Sequence, residues 1–183
     1  MQSHNKSSVV IYQSKYGTTK CYAQWIAEKL DAELFDVADF DVTQLKNYST
    51  ILFGSSVHIG KVKGISVIID NWEVLSKKKV VVFASIGSPN YDDPKQQKAI
   101  QASVPKEILE KIKYFALPGA YSYKNLDFKD KLLMNFGPRL NLIFKSWFKG
   151  DQKAKNQLNQ FCEDQNWIKK EAIKPILSYI QEA

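Results

Sequence analysis

The residues whose types and spacing most clearly suit ligand binding directly follow the first apolar run of the chain. They form the segment Ser14-Lys15-Tyr16-Gly17-Thr18-Thr19. An amphipathic stretch with helical periodicity begins directly after them. The first backbone N–H groups of a helix have no partner inside the helix, and the helix dipole favours an anion there. Together with the Ser and Thr hydroxyl groups, these N–H groups predict a phosphate-binding loop. The alternative interpretation is that the hydroxyl groups only cap the helix.

Other phosphate-binding and metal-binding patterns do not match the chain. The segment is neither the dinucleotide-binding pattern G-x-G-x-x-G nor the P-loop G-x-x-x-x-G-K-(S/T). No pair of carboxylates follows the first strand, which argues against a phospho-acceptor receiver domain. We predict no metal site, because the His, Asp and Glu residues lack ligand spacing and two cysteines, Cys21 and Cys162, are too few. For Cys21, near a helix start, a lowered thiol pKa and simple burial are the alternatives.

Strand and helix signals alternate along the chain, and these elements must position the loop. Continuous apolar runs without polar alternation are typical of parallel strands that helices cover on both faces. The runs begin at Val9, Glu33, Ile51, Val80 and Tyr114. Their alternation with amphipathic stretches predicts an α/β fold, a doubly wound five-stranded parallel sheet in a single domain over residues 1–183. In such sheets ligands bind beyond the carboxyl ends of the strands, where the phosphate-binding loop is expected.

The composition is that of a globular protein with one basic region. Of 183 residues, 44% are hydrophobic and 25% are charged, which excludes disorder of the whole chain. The leader, residues 1–7, is polar and lacks the apolar centre of a signal peptide, so we predict a cytoplasmic protein. The net charge is +7, and residues 124–155 hold eight basic against three acidic side chains, a net +5. An anionic partner is therefore expected.

Several motifs, in chain order, resemble those of the flavodoxin superfamily. Ser14-x-x-Gly17-x-Thr19 resembles the flavodoxin phosphate loop, (S/T)-x-x-G-x-T. The segment from Gly54 to Gly60 is similar to the turn G-(A/S)-S-(I/V)-x-x-G of one branch, the menaquinone-dependent protoporphyrinogen IX dehydrogenases. Gly119-Ala120-Tyr121-Ser122-Tyr123 matches the G-A-x-x-Y turn of that branch, and residues 124–155 resemble its aromatic, basic insertion. The resemblance covers nearly the whole chain from Val9 onward.

The resemblance implies a flavodoxin-like strand order, 2-1-3-4-5, with a helical insertion after the fifth strand and with FMN as the cofactor. The FMN phosphate would be held by Ser14, Lys15, Tyr16, Gly17, Thr18 and Thr19. The edge of the isoalloxazine ring would meet Ser56, Val57, His58, Ile59 and Gly60, and its other side would meet Ser85, Ile86, Gly87 and Ser88. Tyr91 or Tyr121 would supply a stacking plane. No catalytic residue is predicted; His58 is interpreted either as a proton-handling residue near the flavin or as a packing residue.

The function that the resemblance implies is that of an FMN-dependent oxidoreductase, which passes electrons from a reduced substrate, with protoporphyrinogen IX favoured, to a quinone. The alternative is an electron-transfer flavodoxin that carries electrons between redox-protein partners without a substrate of its own. Carrier flavodoxins are characteristically acidic, whereas this chain has a net charge of +7. Nucleic-acid binding is not predicted, because the chain has no recognisable nucleic-acid module.

Residues 124–149 combine apolar side chains at helical spacing with cations. Phe128, Leu132 and Phe136 lie on one helical face, and Gly137-Pro138 is expected to interrupt the helix. The apolar positions of the second half are Leu140, Ile143, Phe144, Trp147 and Phe148, with Arg139, Lys145 and Lys149 as neighbouring cations. The pattern predicts contact with a membrane surface, peripheral at the inner face of the cell membrane. The alternative is that both stripes pack on the domain or cover the flavin pocket.

Overall fold

The computed structural model describes residues 7–58, 60–88 and 90–182. Ile59 and most of the polar leader, residues 1–7, therefore lie outside the described residues. The chain divides into two compact units, Met1–Gly119 with Trp167–Ala183 and, between them, Ala120–Asn166. The predicted insertion, residues 124–155, falls inside the second unit. The single domain over residues 1–183 stays a prediction.

The first unit contains the predicted parallel sheet. Its strands are β1 (Ser8–Tyr12), β2 (Glu33–Asp36), β3 (Thr50–His58), β4 (Lys61–Val62), β5 (Lys79–Ile86) and β6 (Lys113–Pro118). The order is β2-β1-β3-β5-β6 with every neighbouring pair parallel, and β4 pairs antiparallel with β3. The predicted order 2-1-3-4-5 is confirmed, because β5 and β6 are the fourth and fifth strands that the apolar runs predicted.

Helices cover both faces of this sheet. They are α1 (Thr18–Leu30), α2 (Ser66–Ile69), α3 (Trp72–Leu75), α4 (Pro94–Gln101), α5 (Lys106–Leu109) and, after the second unit, α9 (Lys174–Gln181), with 3-10 turns at Val42–Asn47 and Lys170–Ile173. Successive strand residues point to opposite faces. Val10 packs with α1 and α9 on one face, whereas Val9 and Ile11 pack with α2 to α5 on the other. Both faces are thus buried, as the continuous apolar runs require.

Tyr22 of α1 connects this helix to the end of the last strand. Its side chain is fully buried, and its hydroxyl group donates a 2.7 Å hydrogen bond to the carbonyl oxygen of Pro118, the last residue of β6. The same hydroxyl oxygen accepts a 3.3 Å hydrogen bond from the backbone N–H of Lys169. Burial raises the pKa of Tyr22 to about 12. The carboxyl end of β6 is therefore held against α1 by a hydrogen-bonded side chain in the core.

The third strand is longer than the sequence predicted. β3 continues to His58, where the resemblance implied a turn, and then folds back as β4. Val57 pairs with Val62 and His58 pairs with Lys61, and Gly60 takes a φ of +70° at the tip of this hairpin. A left-handed backbone of this kind favours glycine at a tight turn. A short hairpin therefore replaces the predicted loop.

The second unit is built on a short strand pair and a long helical run. Its elements are β7 (Ala120–Tyr121), α6 (Phe128–Met134), a π-helical turn (Asn135–Arg139), α7 (Leu140–Phe148), α8 (Gln152–Asn159) and β8 (Gln165–Asn166). β7 and β8 pair antiparallel. The side chain of Asp127 caps α6 by accepting the N–H of Asp130 at 2.7 Å, and Asp151 caps α8 through the N–H of Ala154 at 3.0 Å.

The predicted interruption at Gly137-Pro138 takes the form of the π-helical turn. Pro138 lies inside that turn, and the helical run continues from α6 into α7. Proline has no backbone N–H to give and crowds the preceding turn, and a wider π turn is one of the ways in which a helix accommodates such a disturbance. Among the described residues, no helix combines the length and the apolar character that crossing a membrane requires.

Candidate functional site

A cavity of about 300 Å³ lies at the carboxyl ends of the first strands, where the doubly wound fold predicts ligand binding. Its lining residues are Gln13, Ser14, Lys15, Asp36, Ser56 and Lys63. Gln13 directly follows β1, Asp36 is the last residue of β2, and Ser56 lies near the end of β3. Lys63 is brought in by the β3–β4 hairpin. Three of the residues predicted to contact the cofactor, Ser14, Lys15 and Ser56, therefore line one cavity.

The loop from Ser14 leads into α1 through Gly17, which is the N-cap of the helix. Gly17 has a φ of +88°, a left-handed backbone that a residue with a Cβ adopts at a cost, and open space surrounds the position of that Cβ. The N-cap is a glycine and has no side chain with which to cap the helix, so the alternative that the Ser and Thr hydroxyl groups only cap it stays a prediction beside phosphate binding. The first N–H groups of an α-helix have no partners within the helix, which is the feature of a helix start that suits an anion.

Thr19 and Ser85, both predicted to contact the cofactor, are hydrogen-bonded to each other. Thr19 is 1% exposed and Ser85 is 5% exposed, and their hydroxyl oxygens lie 2.9 Å apart in a hydrogen bond. This bond joins the first turn of α1 to the end of β5. The Thr19 hydroxyl is thereby engaged under the loop, and any contact of Thr19 with a phosphate stays a prediction.

The cavity contains a mixed set of charges and polar atoms. Lys15 and Lys63 are cationic and Asp36 is anionic, so the described lining residues carry one net positive charge. The Nζ of Lys15 also lies 5.1 Å from the ring centre of Tyr16, which is half exposed. The Oε1 of Gln13 is buried and has no hydrogen-bond partner among the residues that the structure describes. An acceptor in that state is costly unless a ligand or water donates to it.

The remaining predicted contacts lie on other elements. Val57 and His58 are in the part of β3 that pairs with β4, and Gly60 is at the hairpin tip. Ile86 ends β5 and is buried; Gly87 and Ser88 follow it, and the N–H of Ser88 donates to the carbonyl oxygen of Ile86 at 2.8 Å. These residues are at the predicted carboxyl edge of the sheet, and their flavin contacts stay predictions.

The two tyrosines proposed as stacking planes have different surroundings. Tyr91 is half-buried, and the Nζ of Lys169 lies 5.7 Å from the centre of its ring. Tyr121 belongs to the second unit, where its ring packs edge-on against Phe161 with the centroids 6.2 Å apart. Burial raises the pKa of Tyr121 to about 12. That either Tyr91 or Tyr121 stacks on the flavin ring stays a prediction.

Cys21 lies one turn into α1 and is not an activated thiol. Its side chain is half-buried, and burial raises its pKa. A raised pKa leaves less of the thiolate, which is the reactive form. The structure therefore supports simple burial over the lowered pKa that its place near a helix start would allow.

The chain is similar to a known family of protein domains and to several solved structures. The model of the flavodoxin domain family matches residues 9–140, more than half of the chain. The chain belongs to the flavodoxin domain family. Oxidised flavodoxin 1 from Bacillus cereus is 19% identical over 72% of this chain and 94% of that chain, with a TM-score of 0.44.

Two further solved structures have a similar level of likeness. A flavodoxin from the domain Archaea is 19% identical over 59% of this chain and 82% of that chain, with a TM-score of 0.39. A WrbA-like flavodoxin from Agrobacterium tumefaciens is 21% identical over 58% of this chain and 74% of that chain, with a TM-score of 0.44. No curated protein matches the chain.

FMN is the cofactor that membership of the flavodoxin domain family indicates. The chemistry of the cavity fits it. The helix N-terminus at Gly17 and the cations of Lys15 and Lys63 suit a phosphate. The buried acceptor of Gln13 and the carboxylate of Asp36 suit the hydroxyl groups of a ribityl chain. The cavity of this flavodoxin domain thus offers donors and acceptors for both parts of such a ligand.

Three of the cavity residues, Gln13, Asp36 and Lys63, were not predicted. Gln13 and Asp36 stand at the carboxyl ends of β1 and β2, so the rule that ligands bind at carboxyl ends contains the signal for both. Lys63 had no such signal. Its position depends on β4, whose two residues, Lys61 and Val62, are too few to show a strand pattern in the sequence.

Proposed function

We propose that the protein is an FMN-dependent oxidoreductase of the protoporphyrinogen-dehydrogenase-like type, which passes electrons from a reduced substrate to a quinone. The observation that carries this proposal is the second unit, Ala120–Asn166, which begins directly after β6 and Gly119. The resemblance associates a basic, aromatic insertion at this point of the chain with that branch of the superfamily. Residues 124–155 have the expected character, with eight basic and three acidic side chains.

The overall charge supports an oxidoreductase over a carrier. Carrier flavodoxins are characteristically acidic and dock on basic faces of their partners, whereas this chain has a net charge of +7. Two basic surfaces repel each other on encounter, and that repulsion lowers the association rate. A basic flavoprotein is therefore poorly suited to serve basic reductases, but it can reduce a small quinone that has no charged surface of its own.

We assign the cavity residues to FMN as follows. The hydroxyl group of Ser14 and the backbone N–H groups from Lys15 to Thr19 hold the phosphate, and the cations of Lys15 and Lys63 offset its charge. Gln13 and Asp36 accept hydrogen bonds from the ribityl chain. Bound FMN supplies the acceptance and release of electrons, which no protein side chain provides.

The ring contacts are assigned to the loops that the sequence indicated. Ser56, Val57 and His58 border one edge of the isoalloxazine ring, and residues 85–88 border its other side. The hydrogen bond between the Thr19 and Ser85 hydroxyl groups holds the start of α1 against the end of β5. A rigid base of this kind keeps the loops in the geometry that binds the cofactor.

The proposal is tested by reoxidation of the photoreduced holoprotein under anaerobic conditions. We expect a water-soluble menaquinone analogue to reoxidise the protein rapidly, and faster than it reoxidises free reduced FMN at the same concentration. We expect electron exchange with a basic flavodoxin reductase to be slow. Fast exchange with the reductase that is lost at high salt, combined with quinone reduction no faster than by free FMN, would establish the carrier function instead. Oxidation of protoporphyrinogen IX is assayed separately, because it tests the substrate and not the acceptor.

A further inference from the structure

The helical run of the second unit exposes a row of large apolar side chains. Every fourth residue from Phe128 to Phe148 is apolar and exposed, and the row consists of Phe128, Leu132, Phe136, Leu140, Phe144 and Phe148. The exposed fractions are 80% for Phe128, 70% for Phe136 and 79% for both Trp147 and Phe148. These are values that large apolar side chains of soluble domains seldom show in such density. The alternative prediction, that both stripes pack on the domain or cover the flavin pocket, is separated from surface docking by the experiment below.

The exposed apolar side chains are concentrated in this one run. In the described part of the chain, eleven large apolar side chains are exposed, and eight of them lie between residues 128 and 148. The other three, Tyr16, Val42 and Val74, are scattered over the first unit. Single exposed apolar residues are ordinary, but a cluster of this size marks an interaction surface. We call residues 128–148 the apolar run.

Apart from the buried Asp130, the charges within the apolar run are positive. From Lys131 to Gly150 the chain has four cations and no acidic residue. The one acidic side chain between residues 128 and 148 is Asp130, which is buried. The Nζ of Lys149 lies 5.8 Å from the centre of the Phe144 ring, so at least one cation stands directly beside the exposed aromatic side chains. A partner surface must therefore accept apolar side chains and offer negative charge.

The aromatic side chains at the end of the run are ordered against each other. The rings of Phe144 and Phe148 are stacked, with their centroids 5.2 Å apart and their planes at 26°. Trp147 stands between them in the sequence and is exposed to the same degree as Phe148. Trp is favoured at the depth of the lipid headgroups, where its ring can be buried while its N–H stays hydrated, and neighbouring Phe rings add apolar area that an interfacial helix can bury. The end of α7 thus has the composition of an interfacial anchor.

We propose that the apolar run docks the protein on the surface of an anionic lipid bilayer, with its aromatic side chains at headgroup depth and its cations toward the acidic headgroups. A second copy of the chain is the less suitable occupant, because a symmetric contact would place the same cations opposite one another. The proposal rests on the second unit and not on the redox partner.

The test is sedimentation of the FMN-loaded protein with phosphatidylcholine vesicles that do or do not contain phosphatidylglycerol. We expect binding to the anionic vesicles that is released at high salt, and much weaker binding to the neutral ones. The double variant Trp147→Ser/Phe148→Ser should bind at least about tenfold more weakly. The variant Lys145→Gln/Lys149→Gln should bind the anionic vesicles about 30-fold more weakly, since each cation near an anionic surface raises the binding affinity about fivefold.

The matched control is Val42→Ser/Val74→Ser, which removes two exposed apolar side chains from the first unit and should leave vesicle binding unchanged. An unchanged flavin absorbance spectrum shows that each variant has kept its fold and cofactor. Should Trp147→Ser/Phe148→Ser lose the flavin, the salt release and lipid preference of the unaltered protein decide the question.

Three results would overturn the proposal. The first is wild-type protein that stays in the supernatant with anionic vesicles. The second is binding that the variants at residues 147 and 148 weaken no more than the control variant does. The third is light scattering that shows a dimer in the absence of lipid, abolished by Trp147→Ser/Phe148→Ser, because the run would then be an interface between two copies. None of these results depends on quinone reduction, so this proposal and the redox proposal fail separately.

Discussion

Replacing Ser14 by alanine should separate the binding of FMN from that of riboflavin. Ser14 lines the cavity and stands three residues before Gly17, the N-cap of α1. We therefore assign its hydroxyl group to the phosphate, together with the N–H groups at the start of α1. Riboflavin has no phosphate but shares the ring and the ribityl chain with FMN. A change confined to the phosphate contact should weaken only FMN.

The size of the effect follows from the contact that is lost. A hydrogen bond to a charged group contributes about 1.5–3 kcal/mol. Since about 1.4 kcal/mol corresponds to a factor of ten in the dissociation constant, Ser14→Ala should weaken the binding of FMN by about 10- to 150-fold. Thr19→Ala should behave differently, because its hydroxyl is bonded to Ser85. That variant should lose about 1–3 kcal/mol of unfolding free energy through the buried group left without a partner.

The assay is titration of the apoprotein with each flavin, followed by quenching of flavin fluorescence. Ser66→Ala is the matched control, because Ser66 also begins a helix, α2, but is exposed and does not line the cavity. We expect the control to bind both flavins as the unaltered protein does. Equal weakening of FMN and riboflavin in Ser14→Ala, or no weakening of either, would refute the assignment of this loop to the phosphate.

Lys63→Gln should weaken FMN binding about tenfold or more, because the Lys63 cation lines the cavity. Lys61→Gln, on the same hairpin but outside the cavity lining, should leave FMN binding unchanged. Equal effects of the two variants in the same titration would contradict the assignment of Lys63 to the phosphate. Tyr22→Phe should lower the unfolding free energy by about 1–3 kcal/mol in urea denaturation. Because the folded pKa of Tyr22 is about 12 against an ordinary 10.0, the unaltered protein should lose stability from pH 10 to 12 more steeply than this variant, and parallel curves would count against that pKa. Gly54→Ala should lower the unfolding free energy by about 1–3 kcal/mol, because the added Cβ would overlap the buried Phe83 ring. Unchanged thermal stability would show that the ring can move aside.

The parallel sheet could be predicted because its strands are buried on both faces, which leaves apolar runs such as those from Val9 and Val80 in the sequence. The loop between β1 and α1 could be recognised as a candidate ligand loop because it contains small and hydroxyl residues and leads into a helix; its contact with a phosphate stays a prediction. Such signals are local. They depend on neighbouring residues that share one element.

What could not be predicted depends on contacts between distant residues. The partner of Thr19 is Ser85, 66 positions later, and no local pattern shows that the two hydroxyl groups meet. Lys63 enters the cavity only because β4 folds back on β3. Asp36 is a different case, since the rule for carboxyl ends, applied to β2 as it was to β1, indicates it directly.

Nuclear magnetic resonance of the ¹⁵N-labelled apoprotein during titration with FMN tests the central claim most directly, because it reports on each backbone N–H group separately. We predict that the largest shifts occur at the backbone N–H groups from Lys15 to Thr19, and that riboflavin leaves these groups much less changed while it still shifts those of residues 85–88. Shifts that are as large for riboflavin as for FMN at the start of α1, or that leave this loop unchanged with both flavins, would contradict the account.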